Sequence, residues 1–173
     1  MYADDTVIYY SATSFTDVQR VVQDDLEKIT LWMIDNELVL IKSKTKTLLF
    51  GTSQRLPVVS NFHIYLNGTK LEPVYSFKYL GITLDCQLNW KEHVETVSLN
   101  VSARLKLLSR IRSCLTPAAA IWVYNGLIQP LFDYCDVTWS KLPEGCSQEL
   151  QRLQNKASRI ILQRVNTGDS LMK

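Results

Sequence analysis

The alternation of apolar and polar positions changes period along this chain, and each change marks an element. Thr6-Val7-Ile8-Tyr9-Tyr10 is β-branched and aromatic, which predicts a strand leaving an Asp4-Asp5 turn. Val18, Val21, Val22, Leu26, Ile29, Trp32 and Met33 then recur at helical spacing. Ser14 and Asp17 stand before them as a capping-type start, so an amphipathic helix is expected from about Phe15 to Asp35. Leu38-Val39-Leu40 and Thr47-Leu48-Leu49-Phe50 predict short strands around the basic connection Lys42-Ser43-Lys44-Thr45-Lys46.

The middle of the chain keeps the strand period. Phe62-His63-Ile64-Tyr65-Leu66 runs into Asn67-Gly68 and then Lys70-Leu71-Glu72, a strong short-range hairpin signal. The stretch from Ser76 to Leu84 predicts one more strand, with Gly81 allowing a bend or a close backbone approach.

After Asn89 the period becomes helical. Val94, Val97, Val101, Leu105, Leu108 and Ile111 form a long stripe, with Arg104, Lys106, Arg110 and Arg112 off it. Thr116 and Pro117 form a helix start. The body from Ala118 to Ile128 is apolar nearly all round, which predicts a central, buried helix that Pro130 ends or kinks. A third helix is expected from Ser147, with Leu150, Leu153, Ala157, Ile160 and Ile161 inward and a polar, frayed tail after it. Trp90, Trp122, Tyr124 and Trp139 lie in apolar segments and are read as core. The expected organisation is thus a mixed portion over 1–85, a helical portion over 89–165 and a tail over 166–173.

Composition adds limits to this picture. At 173 residues and 46% hydrophobic, the chain is long enough for a real core. No apolar run reaches the ~18 residues of a membrane-spanning helix, and acids replace the basic head of a signal peptide, so an intracellular protein without a membrane partner is expected. Cys86, Cys114, Cys135 and Cys146 contain no Cys-x-x-Cys pair, and His63 and His93 lie far apart in sequence. Free, mostly buried thiols are expected rather than a zinc site. Residues 1–89 carry eight Lys/Arg against ten Asp/Glu, whereas residues 90–173 carry eleven against seven. The basic second half suits a nucleic-acid partner, although an ordinary solvated surface would look the same.

The chemistry begins at Tyr2-Ala3-Asp4-Asp5. Two adjacent carboxylates at a turn can offer hard oxygen ligands to Mg²⁺, and only a turn lets both approach one site. An isolated Asp-Asp pair is more often a solvated surface feature, so order and context decide. Tyr2-Ala3-Asp4-Asp5 followed by Thr6-Val7-Ile8 resembles the catalytic motif of reverse transcriptases. Trp32, Asn36, Leu38, Leu40, Lys44-Thr45 and Phe50 resemble the next palm motif of the LINE-type, or non-LTR, retrotransposon enzymes. Phe77-Lys78-Tyr79-Leu80-Gly81-Ile82 resembles their "YLG" primer-grip motif. Leu88, Trp90, His93-Val94, Arg110, Tyr124, Pro130, Tyr134-Cys135, Trp139 and Leu153 to Ala157 continue the likeness in order.

That resemblance implies an α+β fold: a truncated polymerase palm of short antiparallel strands plus a helix, followed by an all-helical thumb-like region. It implies RNA-directed DNA polymerisation with two Mg²⁺ ions, dNTP, an RNA template and a DNA primer. Asp4 and Asp5 would be metal ligands, and Lys44 would protonate or steady the triphosphate. Tyr79, Leu80 and Gly81 would seat the primer, and Arg104, Lys106, Arg110 and Arg112 would bind duplex phosphates. The intact enzymes carry fingers and an earlier palm aspartate, so residues 1–173 alone are expected to be inactive. Two other readings fit the residues: a non-catalytic nucleic-acid-binding module using the basic helices, and a decayed reading frame.

Overall fold

The structure, a computed structural model, describes residues 5–56 and 62–162. Asp4, the start of the Tyr2-Ala3-Asp4-Asp5 motif and the expected tail over 166–173 lie outside them. The fold is mixed helix and strand, in two compact units, Met1–Phe77 and Lys78–Lys173.

In the first unit, helix α1 (Phe15–Asp35) has the bounds its periodicity predicts. Its start lacks the expected cap, because the Ser14 hydroxyl bonds the Thr16 hydroxyl at 2.6 Å and caps no backbone N–H. Val18, Leu26 and Thr30 are buried, and Thr30 donates its hydroxyl to the Leu26 carbonyl at 2.7 Å. Strand β1 (Lys46–Leu48) pairs with β4 (Glu72–Val74), and β2 (Tyr65–Leu66) with β3 (Thr69–Lys70).

The β2–β3 pair is the hairpin read from the sequence. Asn67 and Gly68 take φ of 49° and 72°, the positive values that a tight two-residue turn demands. The Gln23 side-chain amide extends this ladder from α1: its Nε2 donates to the Tyr65 carbonyl at 3.0 Å, and the Tyr65 N–H donates to its Oε1 at 2.9 Å. Leu26, Ile64, Leu66 and Leu71 form the core, with Ile8, Val22, Leu40 and Phe62 packed on it.

Three expectations fail in this unit. The 6–10 run is assigned to no strand, an isolated bridge at Asp5 lying just before it, and Leu38-Val39-Leu40 is no strand. The third concerns direction: β1 and β4 run parallel, not antiparallel, with Lys46 opposite Glu72 and an ion pair joining the two side chains. A pairing that spans about 26 positions is set by burial and long-range closure, which local pattern does not carry.

β5 (Ser76–Tyr79) begins at the end of the first unit and pairs with β6 (Ile82–Asp85). The single strand expected from Ser76 to Leu84 is therefore a hairpin. Leu80 and Gly81 form its turn, at φ of 46° and 85°.

The second unit is built on α2 (Lys91–Ile111), which packs chiefly on α6 (Glu144–Leu162). A 3-10 turn (Arg112–Cys114), α3 (Pro117–Leu127), α4 (Gln129–Asp133) and α5 (Asp136–Trp139) connect them. Thr116 caps α3 by accepting from the Ala119 N–H at 3.2 Å, and the helix stops before Pro130, as its sequence implies. Val101, Leu105, Leu108 and Ile128 are almost wholly buried, and each such side chain contributes roughly 1.5–3 kcal/mol.

Several expectations are corrected here. α6 begins at Glu144, one turn before Ser147, and Ile111 is exposed. Helix α3 is not central: of its residues only Ala120 is buried, and Trp122 is 74% exposed. Trp90 and Trp139 are core, as read, but Trp122 is not. Nor are the thiols mostly buried. All four are free, Cys114 and Cys135 being exposed and Cys86 and Cys146 half-buried.

Candidate functional site

Asp5 and Lys44 belong to the first unit. Asp5 is exposed. Among the described residues no group of three or more His, Cys, Asp or Glu could hold a metal ion. Lys44 lies in an exposed turn between α1 and β1. Its neighbours are engaged: Lys42 donates to the Thr69 hydroxyl at 3.0 Å, and Lys46 pairs with Glu72. Among the described residues no partner holds the Lys44 ammonium, which leaves it available to a phosphate.

The other candidates lie in the second unit. Tyr79 ends β5, and Leu80 and Gly81 make the turn. The Leu80 carbonyl accepts the Tyr134 hydroxyl at 2.7 Å. A Cβ on Gly81 would stand 3.2 Å from Tyr134 Cε1, so the glycine lets the ring lie against the turn. From α2, His93 Nδ1 accepts the Thr83 N–H at 3.4 Å on the strand leaving that turn.

Arg104, Lys106 and Arg110 are exposed on α2. One Arg104 N–H donates to the Leu127 carbonyl at the end of α3, which steadies the guanidinium without burying it.

Arg112 leaves the phosphate-binding set. It is 4% exposed, and its guanidinium is spent on carbonyls: Nε to Ile160 at 3.2 Å and Ile161 at 3.0 Å, Nη2 to Ile161 at 2.6 Å, and Nη1 to Leu115 at 2.9 Å. The sequence held a sign of this, since Arg112 falls four residues after buried Leu108 and continues the inward stripe.

Sequence reasoning gave no role to three residues that shape the site, although His93 and Tyr134 fall within the family likeness. Asp85 is buried and its carboxylate accepts three backbone N–H groups, from Gln87 at 3.0 Å, Asn89 at 3.1 Å and Trp90 at 2.8 Å. His93 is buried, with its ring edge-on to Trp139 at 5.3 Å between centroids. Its place one turn before Val97 was a legible sign of burial. Tyr134 meets its partner across 54 positions, and no local signal marks it.

Burial holds the His93 imidazole below its ordinary value of 6.5. The unfolded chain therefore takes up a proton that the folded chain resists, so stability is full above the ordinary value and falls as pH drops through and below it. Thermal unfolding is expected to shift to lower temperature between pH 7.5 and pH 5, with a shallower shift in His93→Gln. Equal shifts in the two proteins would remove His93 as the cause.

Among the described residues no helix is long and apolar enough to cross a membrane. No protein-family model matches the chain, and no solved structure matches it. Curated proteins do. The chain is 30% identical over 164 residues to a probable RNA-directed DNA polymerase from transposon BS of Drosophila melanogaster, covering 92% of this chain and 18% of the relative. It is 24% identical over 164 residues to a probable RNA-directed DNA polymerase from transposon X-element of the same fly, again covering 92% and 18%. The RNA-directed DNA polymerase from mobile element jockey, also of Drosophila melanogaster, is 24% identical over 164 residues, covering 92% and 17%. The chain thus spans less than a fifth of the length of these relatives.

Proposed function

The chain belongs to the reverse transcriptases of LINE-type retrotransposons, and from that membership we propose that residues 1–173 hold a template–primer duplex by its backbone and offer carboxylates to the polymerase's metal centre. The observation that carries this is the similarity itself, which runs through 92% of the chain. Residues 1–85 then correspond to part of the palm, and residues 89–165 to a thumb-like region.

In this reading Asp4 and Asp5 offer carboxylate oxygens to Mg²⁺, whose remaining ligands come from elsewhere in the polymerase, from water and from substrate phosphates. The free ammonium of Lys44 steadies the dNTP triphosphate. Leu80 and Gly81 present backbone to the primer next to Tyr79, and Arg104, Lys106 and Arg110 contact duplex phosphates. Such contacts hold and register a duplex without reading its sequence.

Phosphoryl transfer depends almost wholly on positioning and charge stabilisation. Asp4 and Asp5 supply only part of such a metal shell, so residues 1–173 by themselves are expected to bind a duplex and not to extend it. Titration with two RNA–DNA hybrids of unrelated sequence, followed by Mg²⁺ and dNTP, tests both halves. Equal affinities within about threefold and no extension are expected. Sequence-selective binding, or extension abolished by Asp4→Ala, would contradict the proposal.

A further inference from the structure

The chain makes the same two-residue turn twice, with different residues. At Asn67-Gly68 it uses the ordinary pair, because asparagine tolerates positive φ, and nothing lies within 4 Å of where a Gly68 Cβ would be. At Leu80-Gly81 a leucine holds φ of 46°, a conformation that costs an L-residue roughly 1–2 kcal/mol. A strained turn persists only when its surroundings over-determine it. Here they do. The Tyr134 hydroxyl bonds the carbonyl of the strained residue, and the Tyr134 ring occupies the space that glycine leaves open.

Tyr134 is itself fixed from behind. The buried Trp139 indole donates to the Tyr134 carbonyl at 3.0 Å, and Trp139 lies edge-on to His93, which accepts from Thr83 just past the turn. The turn is thus tied at both sides to the core of the helical unit. Tyr134 stays half-exposed, at the surface where the turn is presented.

We infer that Tyr134 is the positioning residue of the Leu80-Gly81 turn, fixing the backbone that meets the primer strand near its 3′ end. It touches neither substrate nor metal, and it acts through the Leu80 carbonyl. The primer role rests on the function proposed above; the clamp rests on geometry alone, so the two can fail separately.

The test uses the full chain and Tyr134→Phe, which keeps the ring and removes the hydroxyl. Losing one such bond is expected to speed amide exchange at Ile82 and Thr83 by about threefold to tenfold, with Val101 and Leu105 unchanged. In parallel, binding is compared between an RNA–DNA hybrid with a recessed primer 3′ end and a blunt hybrid of equal length. The wild-type chain is expected to favour the recessed end, and Tyr134→Phe to lose most of that preference while holding the blunt hybrid as before. Unchanged exchange at Ile82 and Thr83 overturns the clamp. Faster exchange with the preference intact overturns its part in primer seating. Faster exchange in a chain that never distinguishes the two hybrids upholds the clamp and overturns the primer-grip reading beneath it. Gly81→Ala, which pushes against the ring from the other side, is expected to weaken the same preference.

Discussion

Arg112→Ala is expected to cost about 3–4 kcal/mol, a large part of the roughly 5–15 kcal/mol that keeps a typical domain folded. The guanidinium makes charge-assisted bonds to the Ile160 and Ile161 carbonyls in the last turn of α6 (Glu144–Leu162). Removing it takes those hydrogens away and leaves a cavity between α6 and the turn after α2. Arg112→Lys is expected to recover less than half of the loss, because one ammonium cannot span carbonyls that a planar fork meets together. Urea unfolding followed by circular dichroism measures both. A midpoint drop of about 1 M or more is expected for Arg112→Ala. A change under about 1 kcal/mol, or full recovery by lysine, would show that the buried fork is not what holds α6.

Asp85→Ala is expected to cost about 2–4 kcal/mol. The Asp85 carboxylate gathers the N–H groups of Gln87, Asn89 and Trp90 in a loop where Leu88 and Trp90 both hold positive φ. Two non-glycine residues in that region need a reason to stay there, and one carboxylate supplies it. The same loop delivers Trp90 and the first turn of α2, whose N-cap residue, Trp90, makes no side-chain cap. Loss of Asp85 should therefore free Trp90, read as a red shift of tryptophan emission before global unfolding. Emission unchanged up to the main transition would place the hold on that loop elsewhere.

The residues explain which parts of this fold could be read in advance. α1, twenty-one residues long, was legible because its apolar positions from Val18 to Met33 repeat at one period. Asn67-Gly68 was legible because its turn requires those residue types. Leu80-Gly81 was not: a leucine at positive φ breaks the local rule, and the flanking Tyr79 and Ile82 continue a strand-like pattern straight through the turn. Such a breach occurs where tertiary contacts outweigh local preference, here Tyr134.

Helix α3 failed for a different reason. Apolar residues on every side predict burial only if there is enough protein to cover them, and α3 is largely uncovered in this unit. Arg112 resembled its neighbours by type, and only its place on the α2 stripe set it apart. Of the candidate residues, the exposure of Arg104, Lys106 and Arg110 on α2 was legible, whereas Asp85, His93 and Tyr134 acquire meaning only through partners the sequence does not put beside them. Asp4 lies outside the described residues.

The central claim is that this chain holds a template–primer duplex by its phosphates. It is tested most directly by the salt dependence of RNA–DNA hybrid binding, compared between the wild-type chain and the triple variant Arg104→Ala, Lys106→Ala, Arg110→Ala. Each phosphate contact contributes about 0.7–0.9 to the slope of log affinity against log salt. Steep weakening with salt is expected for the wild type and a slope shallower by about 2–3 for the variant, with cooperative unfolding retained. Identical slopes, or wild-type binding indifferent to salt, would contradict it.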